Sequence, residues 1–122
     1  MKTIAVYGSL RMYKHNHDMI SSGKHLGNSI MRGTMWLVST YPAFIRSDEL
    51  SDDVNDYRFE LYEVSDDVYE RVRSMELGAG YDEETYQFTE VSSGKLIEAI
   101  YYPANEKLQD YCKRNRPVIP HY

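Results

Sequence analysis

Two stretches of this chain bring together residue types that can do chemistry. In Ile4-Ala5-Val6-Tyr7-Gly8-Ser9-Leu10-Arg11 an apolar run that reads as a buried strand breaks into a Gly-Ser turn and an arginine. With no Cβ at Gly8 the backbone can turn sharply, so that the N–H groups after it converge on one point and suit a carboxylate or a developing oxyanion. The same pattern is also an ordinary way to end a buried strand. The second stretch is Val72-Arg73-Ser74-Met75-Glu76-Leu77-Gly78-Ala79-Gly80-Tyr81, a helical pattern that carries Glu76 to its last turn and then dissolves into glycines. A carboxylate there faces the negative end of the helix macrodipole, at a cost of a few tenths to about 1 kcal/mol. If the side chain turns inward, desolvation raises its pKa from the unperturbed ~4.3 toward the range useful for proton transfer near neutrality. A solvated helix glutamate is the plain alternative.

The elements that must position these residues follow from periodicity. Residues 2–7 read as a strand, and the polar segment 12–25 holds a short helix with Met19 and Ile20 packing inward. Residues 29–38 favour a strand, and 41–45 are extended because a residue before proline avoids the helical region. An acidic, solvated loop at 47–53 leads to a long central strand, 54–64, with Tyr57, Phe59, Leu61 and Glu63 on one side of the pleat. Ser65 is a helix N-cap, Asp66 and Asp67 suit the positive end, and Val68, Val72 and Met75 form a core stripe that leaves Glu76 at the helix end. By this reading Met75 is a packing residue. A loop at 78–84 precedes a hairpin: Tyr86 and Phe88 alternate with polar residues, 92–95 form the turn and 96–102 return. Residues 105–115 can form an amphipathic helix on Leu108, Tyr111 and Cys112, after which Pro117 and Pro120 end regular structure.

Composition bounds the partners. The 122 residues fit one domain spanning 1–122, and 42% apolar with 27% charged residues describe a globular chain rather than a disordered one. Twelve tyrosines serve equally as half-buried strand residues and as polar pocket walls. A net charge of −5 argues against nucleic-acid binding, and Lys113-Arg114-Asn115-Arg116 reads as a solvated helix end. Cys112 stands alone, which suits a reducing compartment; with no signal-peptide core and no apolar run near the ~18 residues a membrane span needs, a cytoplasmic location is expected. His15, His17 and His25 lack the further ligands a zinc site requires, so no metal is expected, and Cys112 has no histidine nearby in sequence to activate it.

Taken together, Tyr7-Gly8-Ser9-Leu10-Arg11 and Glu76 with its glycine-rich sequel resemble the gamma-glutamylcyclotransferase-like family, including its AIG2-like and gamma-glutamylamine cyclotransferase branches. Tyr41-Pro42-Ala43, Glu60-Leu61-Tyr62-Glu63-Val64 and Tyr86 follow in the family's order, so the similarity spans roughly residues 3–102. The chain departs from the family pattern at Val72-Arg73, often Leu-Asp, and at Leu77, which separates Glu76 from Gly78. It departs again at Phe59, commonly Gly, and at Gln87-Phe88, where an arginine is often found. The resemblance implies an α+β single domain with a mixed, partly closed, barrel-like sheet and a few packed helices. It implies conversion of a γ-glutamyl group to 5-oxoproline with release of an amine, without metal or organic cofactor. Glu76 would be the general acid/base, and Tyr7, Gly8, Ser9 and Leu10 would cradle the glutamyl end. Arg11 either meets a carboxylate or points to solvent. Tyr81 and Tyr86 can present hydroxyls to the substrate, Tyr86 being preferred, with strand packing as the alternative reading. The expected partner is a small molecule, with no nucleic acid and no membrane; the oligomeric state is left open. The rival reading is a non-catalytic module that binds a small anionic metabolite or a protein on the same fold.

Overall fold

A computed structural model describes residues 1–12 and 14–122; the part of the expected 12–25 helix that falls on Tyr13 lies outside the described residues. Six strands form one sheet: β1 (Lys2–Val6), β2 (Lys24–Val38), β3 (Tyr41–Arg46), β4 (Asn55–Val64), β5 (Glu84–Thr89) and β6 (Leu96–Tyr101). Two helices complete the domain, α1 (Asp66–Gly78) and α2 (Glu106–Asn115). The spatial order is β3-β2-β4-β1-β6-β5, antiparallel throughout except where β1 runs parallel to β6, so the sheet is mixed. It is also half-closed. The Ser29 hydroxyl of β2 donates to the Thr89 carbonyl of β5 at 2.7 Å, and the Val91 N–H donates to the Asn28 carbonyl, so the sheet curls until β5 touches β2.

Alternation along the two central strands divides the core. Ala5 and Tyr7 of the β1 segment join Tyr57, Phe59 and Leu61 of β4 on the concave side, in a cluster completed by Phe44, Phe88 and Tyr101. Ile4, Val6, Tyr62 and Val64 face the other way, where Val68 and Val72 of α1 and Cys112 of α2 cover them. The Ser65 hydroxyl caps α1 by accepting the Val68 N–H at 3.2 Å. No helix among the described residues is long and apolar enough to cross a membrane.

Several expected boundaries shift. The short helix of the 12–25 segment is a three-residue 3₁₀ turn, His17–Met19, because β2 begins at Lys24 rather than at residue 29. A bulge between His25 and Gly27 makes that early start possible, with Gly27 at φ 142°, in the region that favours glycine. Tyr111, expected on the apolar stripe of α2, is exposed, and Cys112 is the residue that side buries. The tail after Pro117 remains attached to the sheet: Val118 pairs with Trp36, and the Ile119 N–H donates to the Met35 carbonyl.

The bulge depends on one carboxylate. Glu90, at the start of the β5–β6 turn, accepts hydrogen bonds from the backbone N–H and hydroxyl of both Ser92 and Ser93 and from the Asn28 N–H. These bonds, Ser92's foremost, hold its carboxyl down to about 2. A Cβ on Gly27 would collide with the Glu90 side chain, so the two residues are matched. Because the folded-state pKa lies below the unfolded ~4.3, the ionised carboxylate contributes stability at neutral pH that disappears as the pH falls toward 2. Glu90→Gln is therefore expected to lower the melting temperature at neutral pH, with the deficit shrinking between about pH 5 and pH 2. Thermal melts across that window check it; a deficit that stays constant would remove the charge from the explanation.

Candidate active site

Beyond Val6 the chain leaves β1 in a tight loop, and around that loop the last turn of α1, the start of β3 and Tyr102 enclose a cavity of about 380 Å³. Tyr7 forms part of its wall. Its ring packs on Phe44 and Phe59, and its hydroxyl donates to the Tyr102 carbonyl at 2.6 Å. Gly8 is needed for space rather than for a left-handed turn. Its φ is not positive, but a Cβ there would stand 3.0 Å from the Pro42 ring. The loop closes with the Arg11 N–H donating to the Gly8 carbonyl. Asn16 holds Ser9 twice, its amide Nδ2 donating to Ser9 Oγ and its backbone N–H to the Ser9 carbonyl, both at 2.9 Å. Glu60 anchors the far end by accepting the Met12 N–H at 2.8 Å and the Tyr62 hydroxyl at 2.9 Å. Among the described residues, no acceptor takes the N–H groups of Gly8, Ser9 or Leu10.

Glu76 enters the cavity from the last turn of α1. The helix ends just beyond it, its own carbonyl accepting the N–H groups of Ala79 and Tyr81. Its carboxylate has no hydrogen-bond or ion-pair partner among the described residues, and no Lys, Arg or His lines the cavity. Burial pushes the carboxyl up to about 7. Three tyrosine hydroxyls around it are raised above their ordinary value, chiefly by burial: Tyr7, Tyr81 and Tyr102. The charge of Glu76 adds to each, so all three are neutral when Glu76 is ionised. Tyr81 also donates to the Pro42 carbonyl at 2.7 Å. The arrangement is a single carboxyl set among neutral tyrosines and apolar walls.

Six of the eight residues singled out by sequence converge here: Tyr7, Gly8, Ser9, Leu10, Glu76 and Tyr81. Arg11 and Tyr86 do not. The tight turn sends Arg11 away from Leu10; it neither reaches the cavity nor points to solvent, but is buried, with Nη2 donating to the main-chain oxygen of Tyr122 at 2.7 Å. Tyr86, preferred over Tyr81 from sequence, shares the concave side of the edge strand β5 with Phe88. Its ring contacts Phe88 and Tyr101, and the Arg46 guanidinium lies over it. Met75 lines the cavity as well as packing against the core. Sequence reasoning missed Asn16 and Tyr102. Asn16 sits in a polar segment without periodicity, whereas Tyr102, at the end of a strand and before Pro103, had a position that could have drawn notice. His25 and His17 lean on Tyr62, and His15 on Tyr41, rather than gathering.

Fold and cavity define a small α+β half-barrel protein with a cavity beside the end of β1, into which the last turn of α1 carries one half-buried carboxyl. The family model described as gamma-glutamyl cyclotransferase, AIG2-like, matches residues 4–121, and the chain belongs to that family. A Pyrococcus horikoshii protein provisionally named a gamma-glutamylcyclotransferase is 31% identical over 78 residues, which cover 64% of this chain and 62% of that protein, less than two thirds of its length. Among solved structures, an AIG2-like protein from Mus musculus superposes with a TM-score of 0.74 at 16% identity, covering 100% of this chain and 88% of its own. YkqA from Bacillus subtilis superposes at 0.68 with 19% identity, over 85% of this chain and 36% of its own. At such identities the likeness to these two structures is one of fold.

Proposed function

We propose that the protein is a cyclotransferase that converts the γ-glutamyl group of a small γ-glutamyl amine or short γ-glutamyl peptide to 5-oxoproline. The observation that carries this reading is Glu76, a carboxyl whose burial brings it to about 7 in a cavity otherwise without ionised groups. In the reaction the substrate's α-nitrogen attacks its own γ-carbonyl carbon. The new C–N bond closes a five-membered lactam, and the bond from that carbon to the departing amine nitrogen breaks. Glu76, ionised at the start, takes the proton released by the attacking nitrogen and returns it to the departing one, so no proton is consumed. The nucleophile is tethered, and the cavity's contribution is to hold the glutamyl chain folded for attack. The N–H groups of Gly8, Ser9 and Leu10 are the donors nearest in sequence to the cavity wall that can serve the carbonyl oxygen as it becomes an oxyanion.

Incubation of the purified protein with a panel of γ-glutamyl amines, γ-glutamyl dipeptides and glutathione, read by mass spectrometry, should yield 5-oxoproline and identify the leaving amine. A folded protein that makes no product from any of them would overturn cyclotransfer and leave the binding-module reading. Because the base must be ionised, kcat/KM should rise with pH through about 7 along a one-proton limb. A profile that is flat across that limb would remove Glu76 from the proton transfer.

A further inference from the structure

Residues 118–122 reach back toward two walls of the Glu76 cavity. Val118 pairs with Trp36, and the Ile119 N–H donates to the Met35 carbonyl, which aligns the segment with the end of β2. Tyr122 then bridges two elements. Its hydroxyl donates to the Thr40 carbonyl at 2.8 Å, one residue before the Tyr41-Pro42 wall, and its main-chain oxygen accepts Arg11 Nη2 at 2.7 Å, one residue after the Gly8-Ser9-Leu10 wall. Lys14 Nζ lies 4.4 Å and the Arg11 guanidinium 5.3 Å from the centre of its ring. Neither Tyr122 nor Arg11 lines the cavity, so the pair meets the loop from its outer side.

The bonds inside the loop set its shape: the Arg11 N–H closes on the Gly8 carbonyl, and Asn16 holds Ser9. None of these joins the loop to β3. Gly8 lies close to the Pro42 ring and His15 packs on Tyr41, and among the described residues Tyr122 is the one that hydrogen-bonds on both sides. Arg11 is 7% exposed, and turning a guanidinium inward is costly unless its N–H groups are met. Without Tyr122 the side chain gains by swinging out to water, and the turn from Gly8 to Arg11 that carries it loses its outer anchor.

We propose that Arg11 and Tyr122 are positioning residues, a clamp that fixes Gly8, Ser9 and Leu10 relative to the start of β3. Its consequence for catalysis rests on the cyclotransferase reading, in which the N–H groups of those three residues meet an oxyanion that exists only after attack. Arg11→Met keeps an unbranched apolar stem and removes the guanidinium. It should lower kcat about ten-fold with KM within about two-fold, as a small misplacement of donors implies, and leave the melting temperature unchanged or higher, because a buried charge is gone. Tyr122→Phe, which gives up only the Thr40 bond, should lower kcat about three-fold, and the double variant should lose no more than Arg11→Met alone, since both act through one clamp. Amide hydrogen exchange tests the clamp apart from turnover: in Tyr122→Phe the Arg11 and Asn16 amides should exchange several-fold faster, with those of β1 and β4 unchanged. A wild-type protein that makes no 5-oxoproline ends the cyclotransferase reading, while faster exchange at Arg11 and Asn16 still supports the clamp. Unchanged exchange there, a lower melting temperature with kcat intact in both single variants, or losses that multiply in the double variant would each overturn it.

Discussion

Glu76→Gln should lower turnover by at least ~10²-fold while leaving substrate affinity within a few-fold of wild type. Gln keeps the shape and polarity of the side chain and removes only the proton that must travel from the attacking to the departing nitrogen. The same substitution should make the protein more stable at alkaline pH. Burial raises the Glu76 carboxyl from 4.5 to about 7, so between those values the folded protein holds a proton that the unfolded chain has released. Stability contributed by that proton is complete below the unfolded pKa and is lost as the pH rises through the folded one. The full shift corresponds to at most about 3–4 kcal/mol, and partial exposure of the side chain reduces it to roughly 1–2 kcal/mol. Gln escapes this cost. Urea midpoints at about pH 8 should therefore favour Glu76→Gln, and the two proteins should converge near pH 5. A variant that turns over normally ends the proposed mechanism. A variant that is inactive and also less stable at pH 8 shows a carboxylate engaged in favourable contacts, which the low-polarity cavity does not provide.

What could be read in advance divides along a physical line. Features set by local chemistry were legible: the Ser65 cap, the Val68-Val72-Met75 stripe that brings Glu76 to a helix end, the strand break at Gly8, and the hairpin on either side of residues 92–95. Periodicity and capping act within a few residues, so a single sequence contains them. Features set by closure of the sheet were not legible. The start of β2 at Lys24 depends on a bulge at Gly27 that is secured by Glu90, more than sixty residues away. The direction of Arg11 depends on Tyr122, at separation 111. Tyr86 was expected near the substrate because it follows the loop after Glu76 as in the family pattern, but the curl of the sheet and the pleat of β5 turn it toward Phe88 and Tyr101. The chain does turn after Val6, but Gly8 makes room there for the Pro42 ring and does not take a left-handed conformation.

The link between core and cavity runs through Phe59, the residue before Glu60-Leu61-Tyr62 on β4. Phe59 is fully buried, with ring centroids 5.2 Å from Tyr7, 5.4 Å from Phe44, 5.4 Å from Phe88 and 6.1 Å from Tyr101. Removing it would leave a void surrounded by four aromatic rings fixed on β3, β5, β6 and the loop after β1, so the site cannot collapse, and Phe59→Ala should cost about 3–5 kcal/mol. Phe59→Leu is the informative variant. It should cost roughly 1–2 kcal/mol and leave the protein folded. Tyr7, however, loses one of the two rings that support its own, and Tyr7 is cavity wall. Glu76 belongs to α1, and Phe59 does not line the cavity. Loosening Tyr7 without moving Glu76 should raise KM for a γ-glutamyl substrate several-fold with kcat nearly unchanged, because the wall that holds the glutamyl chain softens while proton transfer is preserved. Steady-state kinetics on Phe59→Leu separates the two cases: a fall in kcat at constant KM would mean that Tyr7 takes part in the chemical step instead of shaping the space around it.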